Sequence, residues 1–393
     1  MRHLILLLSL VLLLATGACT RRALLPVEPL TLRSAAYVSA LTNTPTLPVP
    51  AQLTTRQFAL AEPAVIMASP TSEQTTRNEY ERAYQELAKM LAGTYPLSFK
   101  RAVFIAENAF FDGRLSYEEF NNRVAGLAQV CRVLKATNDP YLLYDRDDKE
   151  NVARNAAIFK MMSDTTHLRN GGYLPPYQYD FEDFDGDRNW SKMFVSKLLV
   201  THSGNCHSLP FLYKILAEET GAKTWIALAP NHIYLKQRDL KDGFYNTELT
   251  SYTFPTDGWL MASGYVSKET IVSGIYMDTL SAKQNVVLCL IDLAKGYERR
   301  MGAAKSELFV SKCTNLALRY FPKYINAQLL QAETLRQQFE HQTNSNDARA
   351  AYVAMETAYT RIFETGYREM PAQMYANWLH SVLDEKQKYQ RKH

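Results

Sequence analysis

The chain has little charge of either sign to spare: a net charge of only +4 over 393 residues. Gripping a phosphate backbone needs a concentrated basic face, so nucleic acid is not an expected partner. After Leu14 no run approaches the roughly 18 apolar residues that mark a membrane-spanning helix. Any membrane attachment would therefore come through the N-terminus. Cysteine is scarce as well, with five in the whole chain. Cys131, Cys206, Cys289 and Cys313 are too few for a disulfide framework in a chain this long, and they lack the close pairing of a zinc site. Cys131, Cys289 and Cys313 sit in apolar helical patterns and read as small core residues. A Cys289–Cys313 bridge stays open as an alternative. No cofactor or metal is called for.

What is present begins with a leader. Met1-Arg2-His3 is basic, and Leu4 to Leu14 is apolar apart from Ser9. Such a run is too short to cross roughly 30 Å of hydrocarbon as a helix and reads as a signal peptide. The small residues Thr16-Gly17-Ala18 before Cys19 resemble a bacterial lipoprotein box, with Thr16 standing where Leu is usual. The resemblance implies a lipid on Cys19 and a bacterial cell-envelope location, periplasmic or at the cell surface. Ordinary cleavage after Ala18, leaving a soluble secreted protein, is the alternative. Residues 20–72 carry Pro26, Pro29, Pro45, Pro48 and Pro50 among Thr, Ser and Ala, the composition of a stiff tether.

Residues 73–189 are expected to be helical and to end in an acidic loop. Helices are read over Arg77 to Leu91, Phe99 to Phe110, Tyr117 to Leu134 and Asp145 to Met162 from apolar residues at helical spacing. The run Asn108 to Glu119 has Gly113, Leu115 and Glu119 at calcium-loop positions. Phe110 stands where an oxygen ligand is required, so a plain interhelical loop is the better reading. The acids between Asp180 and Asp187 could hold a cation or form a solvated turn, and the segment is a candidate rim or lid for a cleft.

Chemistry concentrates in residues 190–265. Trp190 to Val200 has helical spacing, and a turn at Thr201 to Asn205 follows. Cys206 is expected to open a helix that ends before Gly221. A thiol in a first helical turn feels the positive end of the backbone dipole and free amide donors, which favour thiolate and can face an oxyanion. Strand patterns follow over Lys223 to Leu228, His232 to Gln237 and Phe244 to Leu249, with Asp242-Gly243 turning the chain between the last two. Cysteine, histidine and acid in this order are the ingredients of an activated thiol nucleophile. Each has a bland alternative: a core thiol, a carbonyl-bonded histidine, a solvent-facing strand residue. His207 is a poor base for Cys206, because consecutive helical residues point about 100° apart. His202, Cys206 and His207 could bind zinc only with a fourth ligand that is missing.

These residues resemble the transglutaminase-like, papain-related superfamily over roughly 75 positions. Gly204-Asn205-Cys206 is similar to its Gly-x-Cys signature, and His232-Ile233-Tyr234 to its His-small-Trp pattern. Phe244-Tyr-Asn-Thr-Glu248-Leu-Thr250 is similar to its aromatic-x-x-x-Asp-x-Thr pattern, with Glu248 in place of Asp. The resemblance implies an α+β fold in which a Cys-bearing helix packs on a small antiparallel sheet. It assigns Cys206 as nucleophile and His232 as base. Glu248 or Asn246, which share one side of the strand, would orient the imidazole. The implied activity is hydrolysis of a peptide or amide bond rather than cross-linking, since no feature suggests an amine-acceptor site. Some members are inactive, so a non-catalytic scaffold that binds peptide or protein is the competing expectation.

Residues 266–393 lose the strand pattern. Val272 to Gly296, Glu307 to Phe321, Ala327 to Phe339 and Gln373 to Leu383 read as helical. Asn315 to Pro322 resembles the close of a tetratricopeptide repeat, and Tyr359 to Pro371 repeats that theme more loosely. These degenerate repeats could present a groove for a protein partner or complete the fold.

Overall fold

The computed structural model describes residues 72–168, 171–371 and scattered positions from 373 to 384. The leader, Cys19 and the Pro-rich stretch up to residue 71 lie outside the described residues. Helices frame a small sheet, an α+β arrangement.

Serine punctuation starts the first three helices among the described residues. Ser72, Ser98 and Ser116 each accept a backbone N–H with their side chain, opening α1 (Glu73–Ala92), α2 (Phe99–Phe110) and α3 (Tyr117–Asn138). Gly93 closes α1 at φ 80°, a conformation that costs glycine nothing. The loop between α2 and α3 is structural. Asp112 accepts hydrogen bonds from Thr76 Oγ1 at 2.8 Å and Arg300 at 2.7 Å, and Asn108 Oδ1 accepts from Leu115 N. Helix α4 (Lys149–Ser163) follows.

The Gly- and Pro-rich stretch after α4 contains two-residue strands: β1 (Thr166–His167) with antiparallel β2 (Tyr173–Leu174), and β3 (Gln178–Tyr179) with parallel β4 (Ser203–Gly204). The single helix expected over Trp190 to Val200 is divided. A 3₁₀ turn, Trp190–Met193, is separated by extended Phe194 from α5 (Val195–Thr201). The buried Glu107 carboxylate of α2 accepts both Val195 N (2.7 Å) and Ser196 N (2.8 Å), satisfying orphan donors at the start of α5.

Helix α6 (Ser208–Thr220) packs on the main sheet, an antiparallel β5 (Trp225–Ala229), β6 (His232–Asp239) and β7 (Gly243–Thr247) in that order. Asp239 pairs with Gly243, whose φ of 75° closes a three-residue loop, and Asp239 Oδ1 accepts the Lys241 and Asp242 N–H groups inside it.

Short helices α7 (Asp257–Ser263) and α8 (Lys268–Val272) follow. The continuous helix expected from Val272 to Gly296 is broken, because Gly274 (φ 75°) and Met277 (φ 66°) leave helical space. Helix α9 (Ala282–Met301) restarts behind a capping box in which Ser281 and Gln284 satisfy each other's backbone. Its apolar residues are buried around most of its circumference, and it packs against α1, α2 and α10 (Ala303–Tyr320). Helices α10, α11 (Ile325–Glu340) and α12 (Ser345–Glu364) stack in sequence. The described cysteines are all free and buried, so Cys289 and Cys313 are unbridged core residues. Among the described residues no helix is long and apolar enough to cross a membrane.

Candidate active site

Three local structures converge on one sulfur. The first is the turn ahead of α6. Asn205 Oδ1 accepts the N–H groups of His207 (3.0 Å) and Ser208 (3.2 Å), and the Asn205 carbonyl accepts Leu209 N (3.1 Å). Regular α6 geometry begins at Ser208, yet these bonds place Cys206 in its first hydrogen-bonded turn. Asn205 Nδ2 ties the turn to the Phe184 carbonyl of the acidic loop at 2.9 Å. Gly204 is closely packed: a Cβ there would collide with Ser208 Oγ and lie 2.9 Å from Leu198 Cδ1, so both side chains would have to shift.

The second is the tight turn between β5 and β6. Ala229 pairs with His232, leaving Pro230 and Asn231 between them. Proline fixes the first turn residue, and Asn231 tolerates the left-handed φ of 52° that the second adopts. The turn sets the Asn231 carbonyl 3.8 Å from Cys206 Sγ and starts β6 on His232.

The third is the end of β7. Leu235 pairs with Thr247, so Glu248 continues on the face that carries Tyr234 and His232, diagonal to the imidazole. Glu248 Oε2 lies 2.6 Å from His232 Nε2, and its Oε1 accepts Thr250 N at 2.8 Å. Both partners are buried, with His232 5% and Glu248 1% exposed. Asn246 plays no such part. It shares the face, but it pairs with Lys236, four residues along β6 and roughly 13 Å from His232. Its amide instead donates to the Pro255 carbonyl at 3.0 Å and Asp257 Oδ1 at 2.7 Å. Of the two residues expected to orient the imidazole, Glu248 does so and Asn246 does not.

With Nε2 committed to Glu248, the nitrogen left for sulfur is Nδ1, which is buried and makes no hydrogen bond among the described residues. The electrostatics are those of an ion pair. Burial opposes charge on His232, but the Glu248 carboxylate and the Cys206 sulfur outweigh it and raise the imidazole to about 10. Burial likewise opposes a Cys206 thiolate, and the closeness and charge of His232, with the charge of His207, bring the thiol below its usual value. Glu248 is held below the carboxylate range against its own burial by His232 and by the Thr250 bonds. Cys131 differs: burial outweighs the charge of neighbouring Arg132 and pushes its thiol to about 12.

Cys206 and His232 line a cavity of about 710 Å³ with Phe184, Asp185, Asp187 and Lys295, so the acidic loop does form part of its rim. Most of the acids there are engaged: Asp183 accepts the Arg188 and Asn189 N–H groups, Asp185 accepts the Asp187 N–H, Lys192 pairs with Asp180 at 2.6 Å, and Arg299 with Asp187 at 2.8 Å. A second cavity of about 820 Å³, bordered by Leu329, Ile362, Phe363 and Tyr359, shares Asn231, Lys295 and Asn326 with the first. His202 stacks on Tyr177, with ring centroids 4.5 Å apart, and does not join a metal set with Cys206 and His207. Among the described residues no cluster of potential metal ligands occurs.

Sequence reasoning missed the residues that enclose the site from afar. Tyr375 Oη donates to the Asn231 carbonyl at 3.3 Å, and its ring meets Phe184 at 5.2 Å. The Trp378 ring stands edge-on to His232, with centroids 4.6 Å apart. Asp292 of α9 holds His207, both carboxylate oxygens lying 3.0 Å from Nε2. None carries a local motif, and aromatic residues at helical spacing read as core.

No protein-family model matches the chain, and neither does any curated protein or solved structure.

Proposed function

We propose that this chain is a thiol-dependent hydrolase of peptide or amide bonds, built on a transglutaminase-like core and tethered in a bacterial cell envelope by a lipid on Cys19. One observation carries the catalytic part: Cys206, His232 and Glu248 stand in succession beside a cavity, with polarities that favour thiolate and imidazolium. The envelope part is supported by the pattern of Met1 to Cys19 and the Pro-rich residues that follow.

In this reading the Cys206 sulfur attacks the substrate carbonyl, forming an S–C bond. The carbonyl electrons move to oxygen, for which the Cys206 backbone N–H is a candidate donor. As the intermediate collapses the C–N bond breaks, and His232 gives its proton to the leaving amine. Water then attacks the thioester, His232 takes its proton, and the acid departs as the thiol is restored. Glu248 keeps Nε2 protonated and Nδ1 facing sulfur throughout. The adjoining apolar groove beside Leu329 and Phe363 favours a substrate of peptide length over a small amide.

Iodoacetamide labelling across pH, followed by peptide mapping, tests the proposal. Cys206 should react with a midpoint well below the ordinary thiol value of about 8.5, and the advantage should vanish in His232→Ala. Labelling no faster than an ordinary thiol would refute it. The cover of Tyr375 and Trp378 over sulfur and imidazole favours a second reading, an inert scaffold that binds peptide or protein. A reactive thiolate that cleaves no member of a fluorogenic peptide library would support that reading.

A further inference from the structure

His207 follows the nucleophile and is itself only 8% exposed. Its two ring nitrogens each face an oxygen. Nδ1 lies 2.9 Å from the Met193 carbonyl, and Nε2 lies 3.0 Å from both carboxylate oxygens of Asp292. A carbonyl oxygen can only accept, and so can an ionised carboxylate. Neutral imidazole has a single N–H, so both contacts are met only when each nitrogen carries a proton. The ring is then a fixed cation, and with both nitrogens occupied it cannot serve as a base for Cys206.

The charged groups around it are few. On its own segment stands Cys206. From α9 come Asp292 and, one turn on, Lys295. From α2 comes buried Glu107, on which the charge of His207 bears, and across the sulfur lies His232. The sulfur and the His207 ring act on each other in both directions, each favouring the charged form of its partner. A buried histidine–aspartate pair is weak evidence of stability, because desolvation offsets the attraction. Its place beside the nucleophile is what gives it another use.

We propose that His207, fixed as an imidazolium between the Met193 carbonyl and Asp292, is a second positive charge that holds Cys206 as thiolate. It is a positioning residue that acts alongside the base His232. The inference rests on the reading of Cys206 as a nucleophile.

The test uses the full chain and compares wild type, His207→Gln and Asp292→Asn. The rate of Cys206 alkylation by iodoacetamide is followed across pH, with circular dichroism to verify folding. Cys131, Cys289 and Cys313 contribute little background, since burial raises all three thiols. Both variants should move the midpoint up by about one unit, a roughly tenfold slower reaction below both midpoints, with the limiting rate at high pH unchanged. Midpoints equal to wild type in folded variants overturn the inference and leave the nucleophile reading intact. A wild-type midpoint at the ordinary thiol value overturns both. Nitrogen-15 spectra of histidine-labelled wild type give a readout independent of variant folding. Two ring N–H groups on His207 at neutral pH are expected, and a neutral ring overturns the inference.

Discussion

Replacing Glu248 with glutamine removes one charge and little volume, which makes it the sharpest perturbation of the site. The carboxylate oxygen is 2.6 Å from His232 Nε2, and both side chains are 2% exposed, so solvent screens the pair weakly. Unit charges about 4 Å apart interact by roughly 4 kcal/mol at an effective dielectric near 20. At about 1.4 kcal/mol per unit, that is about three units of imidazole pKa. His232, raised to about 10 in the native site, should fall to roughly 7 or lower in Glu248→Gln. The sulfur then loses its main cationic partner at mildly alkaline pH; loss of the Glu248 charge, which itself opposes the thiolate, offsets part of this, and the midpoint for Cys206 alkylation should still rise. Asn246→Ala is the matched control, because its amide bonds only Pro255 and Asp257. Its midpoint should equal that of wild type. An unchanged midpoint in Glu248→Gln, or equal shifts in both variants, would refute the argument.

Peptide or amide hydrolysis should follow a bell in pH. The acid limb is set by protonation of Cys206, below the ordinary thiol value, and the alkaline limb near 10 by loss of the His232 proton that the leaving amine needs. A profile still rising above pH ~11 would contradict the assignment. Asp112→Ala strips Thr76 and Arg300 of a buried acceptor. It should cost about 3 kcal/mol and lower Tm by roughly 5 °C by calorimetry, whereas a shift under about 1 °C would be inconsistent with the network. Gly204→Ala forces a Cβ against Ser208 and Leu198. Alkylation of Cys206 should slow by up to about 100-fold while α9 and α10 stay folded, and an unaltered rate would show the turn to be loose. Trp378→Ala should speed labelling by bulky maleimides more than by iodoacetamide, because it opens the cover over His232. Equal effects on both reagents would argue against that role.

How far the sequence displayed this site depends on the range of each interaction. Cys206, His232 and Glu248 were legible because a helix start, a strand start and a strand end each leave a local pattern. Asn246 could not be set aside from sequence, since alternation assigns a face and not a distance; the pairing with Lys236 supplies the distance. Asp292, Tyr375 and Trp378 reach the site from segments remote in sequence, and nothing in their own neighbourhoods marks them. The contact of His207 with Asp292 was hidden for the same reason, because 85 residues separate the two. Helices such as α2 were readable from their buried apolar stripe, whose bounds Phe99–Phe110 match the expectation. Helix α12 was mostly missed although Tyr352, Met355, Tyr359 and Ile362 recur at helical spacing, because nearly all of it is exposed and Ala, Thr and charged residues dilute the pattern. The strands β1 to β4 are two residues long, below the length at which alternation can be seen.

The most direct measurement is the ultraviolet thiolate absorbance of wild type minus that of Cys206→Ser, titrated from acid to alkali. A midpoint clearly below about 8.5, displaced upward in His232→Ala, is the outcome expected of an imidazolium-paired sulfur. A midpoint at or above that value, in the direction of the buried Cys131, would mean that Cys206 is a core thiol and that the proximity of His232 activates nothing.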